Sequence, residues 1–200
     1  MEERVEKNTN KVILVTGASR GIGRAIAKEL SKDNTVIANY NKSVEKAKEL
    51  LSECSNIDIF KADVSNRAEV VTMVEYIINK YGHIDVLVNN AGIAIDKEFE
   101  DRTVEDWKKT LNVNLIAPFI VSKYVGKEML KSKSGKIINI SSTNGIDAFF
   151  PTSIDYDASK AGLINLTHNL AIQFAPYINV NCVAPGWVNT DMNKDLPKEL

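Results

Sequence analysis

The sequence predicts an α/β fold, a doubly wound parallel sheet with the strand order 3-2-1-4-5-6, and two observations carry that expectation. Short β-branched apolar runs alternate with stretches whose apolar residues recur every three to four positions, and the first run empties into a glycine-rich turn that opens a helix. Regular βαβ order implies right-handed crossovers, helices on both faces of the sheet, and a ligand site beyond the C-terminal strand ends.

The elements follow in order. Lys11–Thr16 (KVILVT) is short, apolar and β-branched, as a strand covered on both faces requires. Ile22, Ile26 and Leu30 recur every fourth residue and define one face of a helix from about Gly21 to Lys32. A strand Thr35–Asn39, a helix Val44–Glu53 and a strand Ile57–Lys61 continue the alternation. Asn66 and Glu69 fit a capping box ahead of a helix from about Arg67 to Tyr81. The strand Ile84–Asn89 precedes one long helix from near Thr103 to about Lys131, and a strand Lys136–Ser141, a helix Asp155–Ala175 and a strand Ile178–Val183 complete the pattern.

Composition narrows the function. The chain has 200 residues, 44% hydrophobic and 26% charged, which suits a single domain over 11–200 behind a polar leader over 1–10. Lys+Arg 25 against Asp+Glu 26 leaves no basic excess for a phosphate backbone, so nucleic acid is not an expected partner. No apolar run is long enough for a bilayer, and Met1–Asn10 lacks the apolar core of a secretion signal, so no membrane partner and a cytoplasmic location are expected. Cys54 and Cys182, in a predicted helix and a predicted buried strand, have no CxxC spacing and no nearby His; they read as reduced packing thiols, and no metal is expected.

The turn after the first strand, Thr16-Gly17-Ala18-Ser19-Arg20-Gly21-Ile22-Gly23, has a GxxxGxG spacing. Gly17, Gly21 and Gly23 would permit the tight turn, the backbone's approach to a pyrophosphate and close packing of helix on strand, with the helix N–H groups aimed at the phosphates. An NAD site would place an acid at the end of the second strand to accept the ribose 2′-hydroxyl. This sequence has Asn39-Tyr40-Asn41-Lys42 there, and Arg20 and Lys42 could converge on a 2′-phosphate, so NADP is the expected cofactor.

From Lys11 to Asp191 the ordered set of motifs resembles the short-chain dehydrogenases/reductases: TGASRGIG, Asp63-Val64, Asn89-Asn90-Ala91-Gly92, Asn114, Ser142, Tyr156-Asp157-Ala158-Ser159-Lys160 and Pro185-Gly186. Through TGASRGIGRAIA, NYNKS and PGWVNT it is most similar to the 3-oxoacyl-acyl-carrier-protein reductases of fatty acid biosynthesis. The resemblance implies a Rossmann-type sheet and reduction of a carbonyl, most simply a 3-oxoacyl thioester. It implies that Ser19, Arg20 and Ile22 join the glycines at the cofactor and that Asp63 and Val64 contact the adenine. Asn90, Ala91 and Gly92 would line the cofactor, and Pro185, Gly186, Val188 and Thr190 would reach its nicotinamide end.

Tyr156 and Lys160, four apart in a predicted helix, emerge on one face. A tyrosine's pKa of about 10 is too high for easy proton transfer, and a nearby ammonium would pull it down, making Tyr156 the acid and Lys160 its tuner. Ser142 would donate to the developing alkoxide, although Ser141 competes for that role and only the resemblance favours Ser142. The resemblance adds that Lys160 holds the nicotinamide ribose and that Asn114 fixes a water linking Lys160 to solvent. Phe149 and Phe150 could wall the substrate pocket, while His83 and His168 match no catalytic position.

Family members normally continue through capping helices and another strand. The resemblance therefore implies that this chain lacks the family's C-terminal part, with the sixth strand's edge uncovered and the substrate lid missing. It also implies a homo-oligomer, tetramer or dimer, pairing through the long helices after the fourth and fifth strands. A non-catalytic NADP-binding sensor and an inactive fragment are the alternatives to a working reductase.

Overall fold

The computed structural model describes residues 9–190; most of the leader, and the segment from Asp191 onward, lie outside the described residues. Six parallel strands, β1 (Val12–Val15), β2 (Thr35–Tyr40), β3 (Ile57–Lys61), β4 (Val86–Asn89), β5 (Gly135–Ile140) and β6 (Ile178–Val183), form one sheet in the order β3-β2-β1-β4-β5-β6. This is the expected order.

The strand residues alternate between two cores. Leu14, Ile37, Leu87 and Ile137 face one layer, where they pack with Met73 and Ile77 of α3 (Arg67–Tyr81), Val121 and Val125 of α5 (Ala117–Ser132), and Leu170 and Phe174 of α6 (Ile154–Phe174). Ile13, Val15, Val36 and Val88 face the other layer, with Ala27 of α1 (Gly21–Leu30) and Leu50 of α2 (Val44–Glu53). Burial on both faces explains why the central strands read as unbroken apolar runs. From β1 the chain winds outward through β2 to β3, then returns to β4 on the other side. The C-terminal ends of β1 and β4 therefore part and leave a crevice.

Local chemistry moved some boundaries. β4 begins at Val86 because the Asp85 carboxylate accepts the Val12 N–H at 2.8 Å ahead of the ladder. Asn66 caps α3 by accepting from Ala68 N, but Glu69 accepts from the Asn66 side chain and from Asp63 N instead of closing the expected box. A complete capping box stands at Thr103 and Asp106, at the start of α4 (Val104–Leu111). The long helix expected from Thr103 to Lys131 is interrupted: a π-helical segment, Asn112–Ile116, separates α4 from α5. Cys54 follows the last turn of α2, and Cys182 is half-buried on β6.

Candidate active site

The crevice opens beside the glycine turn. Gly17 and Gly21 have φ of +63° and +56°, a left-handed conformation that L side chains resist. Space is also short: a Cβ on Gly17 would lie 2.8 Å from Ala91 Cα, and one on Gly23 would lie 2.3 Å from Asn90 Nδ2 and 2.5 Å from the Gly17 carbonyl. Asn90 donates to the Thr16 and Gly17 carbonyls, and the Thr16 hydroxyl accepts from the Asn90 and Ala91 N–H groups, so the end of β4 clamps the turn. Among the described residues no side chain caps the N-terminus of α1, where Arg20 is extended and exposed. Ile22 lines the cleft, Ser19 is buried, and the uncapped N–H groups suit the anionic part of a dinucleotide.

Asn39 lies under the turn rather than on its surface. Its Oδ1 accepts from Gly17 N at 3.3 Å and its Nδ2 donates to Ala62 O at 3.0 Å, so the side chain braces β1 against the end of β3. Burial pushes the Asp63 carboxyl up, but hydrogen bonds from Ser65 and Asn41 and the Lys42 ammonium outweigh it and hold the carboxyl below its ordinary value. Lys42 and Arg20 are both exposed, and Val64 is buried.

On the other side of the crevice, α6 carries Tyr156 and Lys160 on one face, with Lys160 Nζ 5.5 Å from the Tyr156 ring centroid. Lys160 is buried, and its ammonium donates to the Ile140 carbonyl at 2.8 Å; burial lowers its pKa to about 8. Burial also pushes the Tyr156 phenol above its ordinary value; the Ser142 hydroxyl opposes that shift and the Asp157 charge adds to it. The sequence-based expectation that Lys160 pulls the phenol down is thus not met here: burial wins, and the ammonium is turned to a backbone carbonyl.

The geometry separates the two serines. Both line the cleft, but the Ser141 hydroxyl donates to the Lys160 carbonyl at 2.8 Å, whereas the Ser142 hydroxyl faces Tyr156. Asn114, in the π-helical segment, is fully buried; its side chain pairs with both the N–H and the carbonyl of Ile93, at 2.9 and 2.8 Å, and donates to Ser159. Its side chain is therefore committed. A Cβ on Gly92 would lie 3.4 Å from Asn114 Oδ1 and 3.6 Å from Lys160 Nζ, which places these three together.

The cleft is completed by Phe150, which the sequence reading named, and by Trp187, Asn144 and Asp96, which it passed over. Trp187 packs edge-on against Phe150, with ring centroids 5.6 Å apart, and both line the cleft with Asn144 and Asp96. Phe149, by contrast, is 79% exposed and forms no part of the wall. Pro185, Gly186, Val188 and Thr190 line the same cleft, and a Cβ on Gly21 would meet Thr190 at 3.6 Å, so this segment returns to the glycine turn. His83 and His168 are exposed and away from the cleft. Among the described residues no group of His, Cys, Asp and Glu could hold a metal ion, and no helix is long and apolar enough to cross a membrane.

Residues 11–200 match the family described as short chain dehydrogenase. A 3-oxoacyl-acyl-carrier-protein reductase from Synechocystis sp. is 41% identical over 197 residues, covering 96% of this chain and 79% of that protein. An uncharacterized oxidoreductase from Thermotoga maritima is 39% identical over 185 residues, with 90% and 72% covered. The crystal structure of a dehydrogenase/reductase from Sinorhizobium meliloti 1021 superposes with a TM-score of 0.89 at 33% identity, over 96% of this chain and 77% of that one.

Proposed function

The chain belongs to the short chain dehydrogenase family and is an oxidoreductase acting on a CH–OH/C=O pair with a nicotinamide cofactor; from that premise we propose that it is an NADP-dependent reductase of 3-oxoacyl thioesters. One observation carries this reading: Ser142 and Tyr156 face a single cleft, with the buried Lys160 ammonium 5.5 Å from the tyrosine ring. The relatives named 3-oxoacyl-acyl-carrier-protein reductase support the substrate class.

Gly17, Ser19, Gly21, Ile22 and Gly23 would hold the pyrophosphate, Asp63 and Val64 the adenosine, and Asn90, Ala91, Gly92 and Lys160 the ribose and nicotinamide. The end of β2 offers Lys42 in place of an acid, and with the exposed Arg20 it favours a 2′-phosphate. When bound, the nicotinamide supplies the hydride that reduces the carbonyl carbon. Tyr156 protonates the carbonyl oxygen, and Ser142 donates a hydrogen bond to the same atom as charge grows on it. A phenol held above its ordinary value is protonated at neutral pH, which loads the site for reduction. Asn114 and Ser159 hold the surroundings of Lys160 in place.

Substrate charge is constrained as well. Among the described residues no Lys, Arg or His lines the cleft, and Asp96 does, its carboxyl pushed up by burial although the Arg102 charge opposes the shift. A neutral thioester is therefore preferred over a free 3-oxo acid, which suits an acyl-carrier-bound substrate. Exposed Phe119 on α5 and Ile172 on α6 support a homo-oligomer, a dimer or tetramer.

The test is titration with NADPH and NADH, followed by NADPH oxidation with acetoacetyl thioester and with acetoacetate. NADPH should bind more tightly, and the thioester should turn over faster than the acid. Tyr156→Phe should still bind NADPH but lose about 10²-fold or more in rate. Binding without turnover of any carbonyl would overturn the reductase reading.

A further inference from the structure

Asp157 neither gives nor takes the proton proposed for Tyr156, though its charge raises that phenol, and it fastens one wall of the cleft. Its Oδ1 accepts from Asn144 Nδ2 at 2.8 Å and from the Ser153 hydroxyl at 3.1 Å, and its Oδ2 accepts from the Phe150 N–H at 3.1 Å. Asn144, Phe150 and Ser153 all line the cleft, and all belong to the connection between β5 and α6. A single carboxylate at the start of α6 thus sets the shape of that connection, including the Phe150 ring that meets Trp187.

The same carboxylate controls the direction of a hydrogen bond at the reacting group. An ionised carboxylate only accepts, so Asn144 must turn its NH2 toward Asp157 and its Oδ1 the other way. That Oδ1 lies 3.3 Å from Ser142 Oγ, while the Asn144 backbone N–H donates to Ser142 Oγ at 3.2 Å. The serine is thereby held by a donor at its oxygen, and its own proton is shared between a long, weak acceptor and the Tyr156 oxygen it faces. Such a proton is readily given to a better acceptor, an oxyanion in the cleft.

We propose that Asp157 is a positioning residue of the reductase, acting through Asn144 on the Ser142 hydroxyl and through Phe150 on the aromatic wall. The proposal rests on the reductase reading above. It requires Asp157 and Asn144 to act as one unit, so their effects must overlap instead of adding.

The experiment compares Asp157→Ala, Asp157→Asn, Asn144→Ala and the Asp157→Ala/Asn144→Ala double variant with the wild type, using acetoacetyl thioester and NADPH. Asp157→Ala and Asn144→Ala should each lower kcat by about tenfold or more, in the range a misplaced group costs. NADPH affinity should stay within about twofold, and the double variant should be no worse than the more impaired single one. Asp157→Asn keeps the size of the side chain but offers its single acceptor oxygen to three donors, so it should also lose kcat. In parallel, a Trp107→Phe background isolates Trp187 fluorescence, which should shift in Asp157→Asn as Phe150 is released. Additive losses, unchanged kcat in Asp157→Asn, or an unshifted Trp187 spectrum would each overturn the proposal. A wild type that reduces no carbonyl would remove the reductase reading and the proposed catalytic role together, while the fluorescence arm would separately report whether Asp157 holds the wall.

Discussion

Lys160 is 4% exposed, and its charge is held where water cannot reach it. Burial sets its pKa at about 8 in the folded chain against 10.5 for an ordinary lysine. Between those values the unfolded chain binds more protons than the folded one, so stability rises with pH across the window and the penalty is fully felt below about 8. Lys160→Met should therefore be more stable than the wild type at pH 7, with the difference narrowing as pH rises above about 8. Urea unfolding across pH measures this, and the same variant should lose about 10²-fold or more in reduction rate. A buried charge that costs stability is the trade-off expected of a residue proposed to serve chemistry.

Between elements, the strongest polar link is one that sequence spacing does not reveal. Arg102, in the connection after β4, pairs with Asp155 Oδ1 at 2.5 Å and donates to the Ile95 and Thr152 carbonyls, while Asp155 Oδ2 accepts from Thr110 of α4 at 2.7 Å. Both charged side chains are buried, at 2% and 0% exposure, so removing one leaves the other buried without its ion-pair partner. Asp155→Ala should cost about 3–5 kcal/mol in urea unfolding. Breaking the exposed pair between Glu29 of α1 and Lys32 just beyond its end, by contrast, should cost less than about 1 kcal/mol. The π-helical segment belongs to this scale too: an α-helix and a π turn share one composition, and the only local sign was Pro118, a residue that removes a helical donor.

For the whole molecule, the sheet order puts the glycine turn, the end of β5 and the first turns of α6 at one crevice. The outer faces of α5 and α6 carry exposed Phe119 and Ile172, and sedimentation of the wild type should give the mass of two or four chains. Phe119→Asp combined with Ile172→Asp should reduce that mass; a wild-type monomer would refute the assembly.

The sequence by itself determined the strand order, the glycine turn and the placing of Tyr156 and Lys160 on one helix face, because these depend on periodicity and on spacings of a few residues. Their signals are local, and burial on both faces leaves them undiluted in the central strands. The tertiary structure alone turned the Ser141 hydroxyl to the Lys160 carbonyl, placed Asn39 under the turn and turned the Lys160 ammonium to a carbonyl. It also joined Asp157 to Asn144 thirteen positions away and Arg102 to Asp155 across fifty-three. Those outcomes depend on which donor faces which acceptor once water is excluded, and that pairing is set by packing between elements rather than by position along the chain.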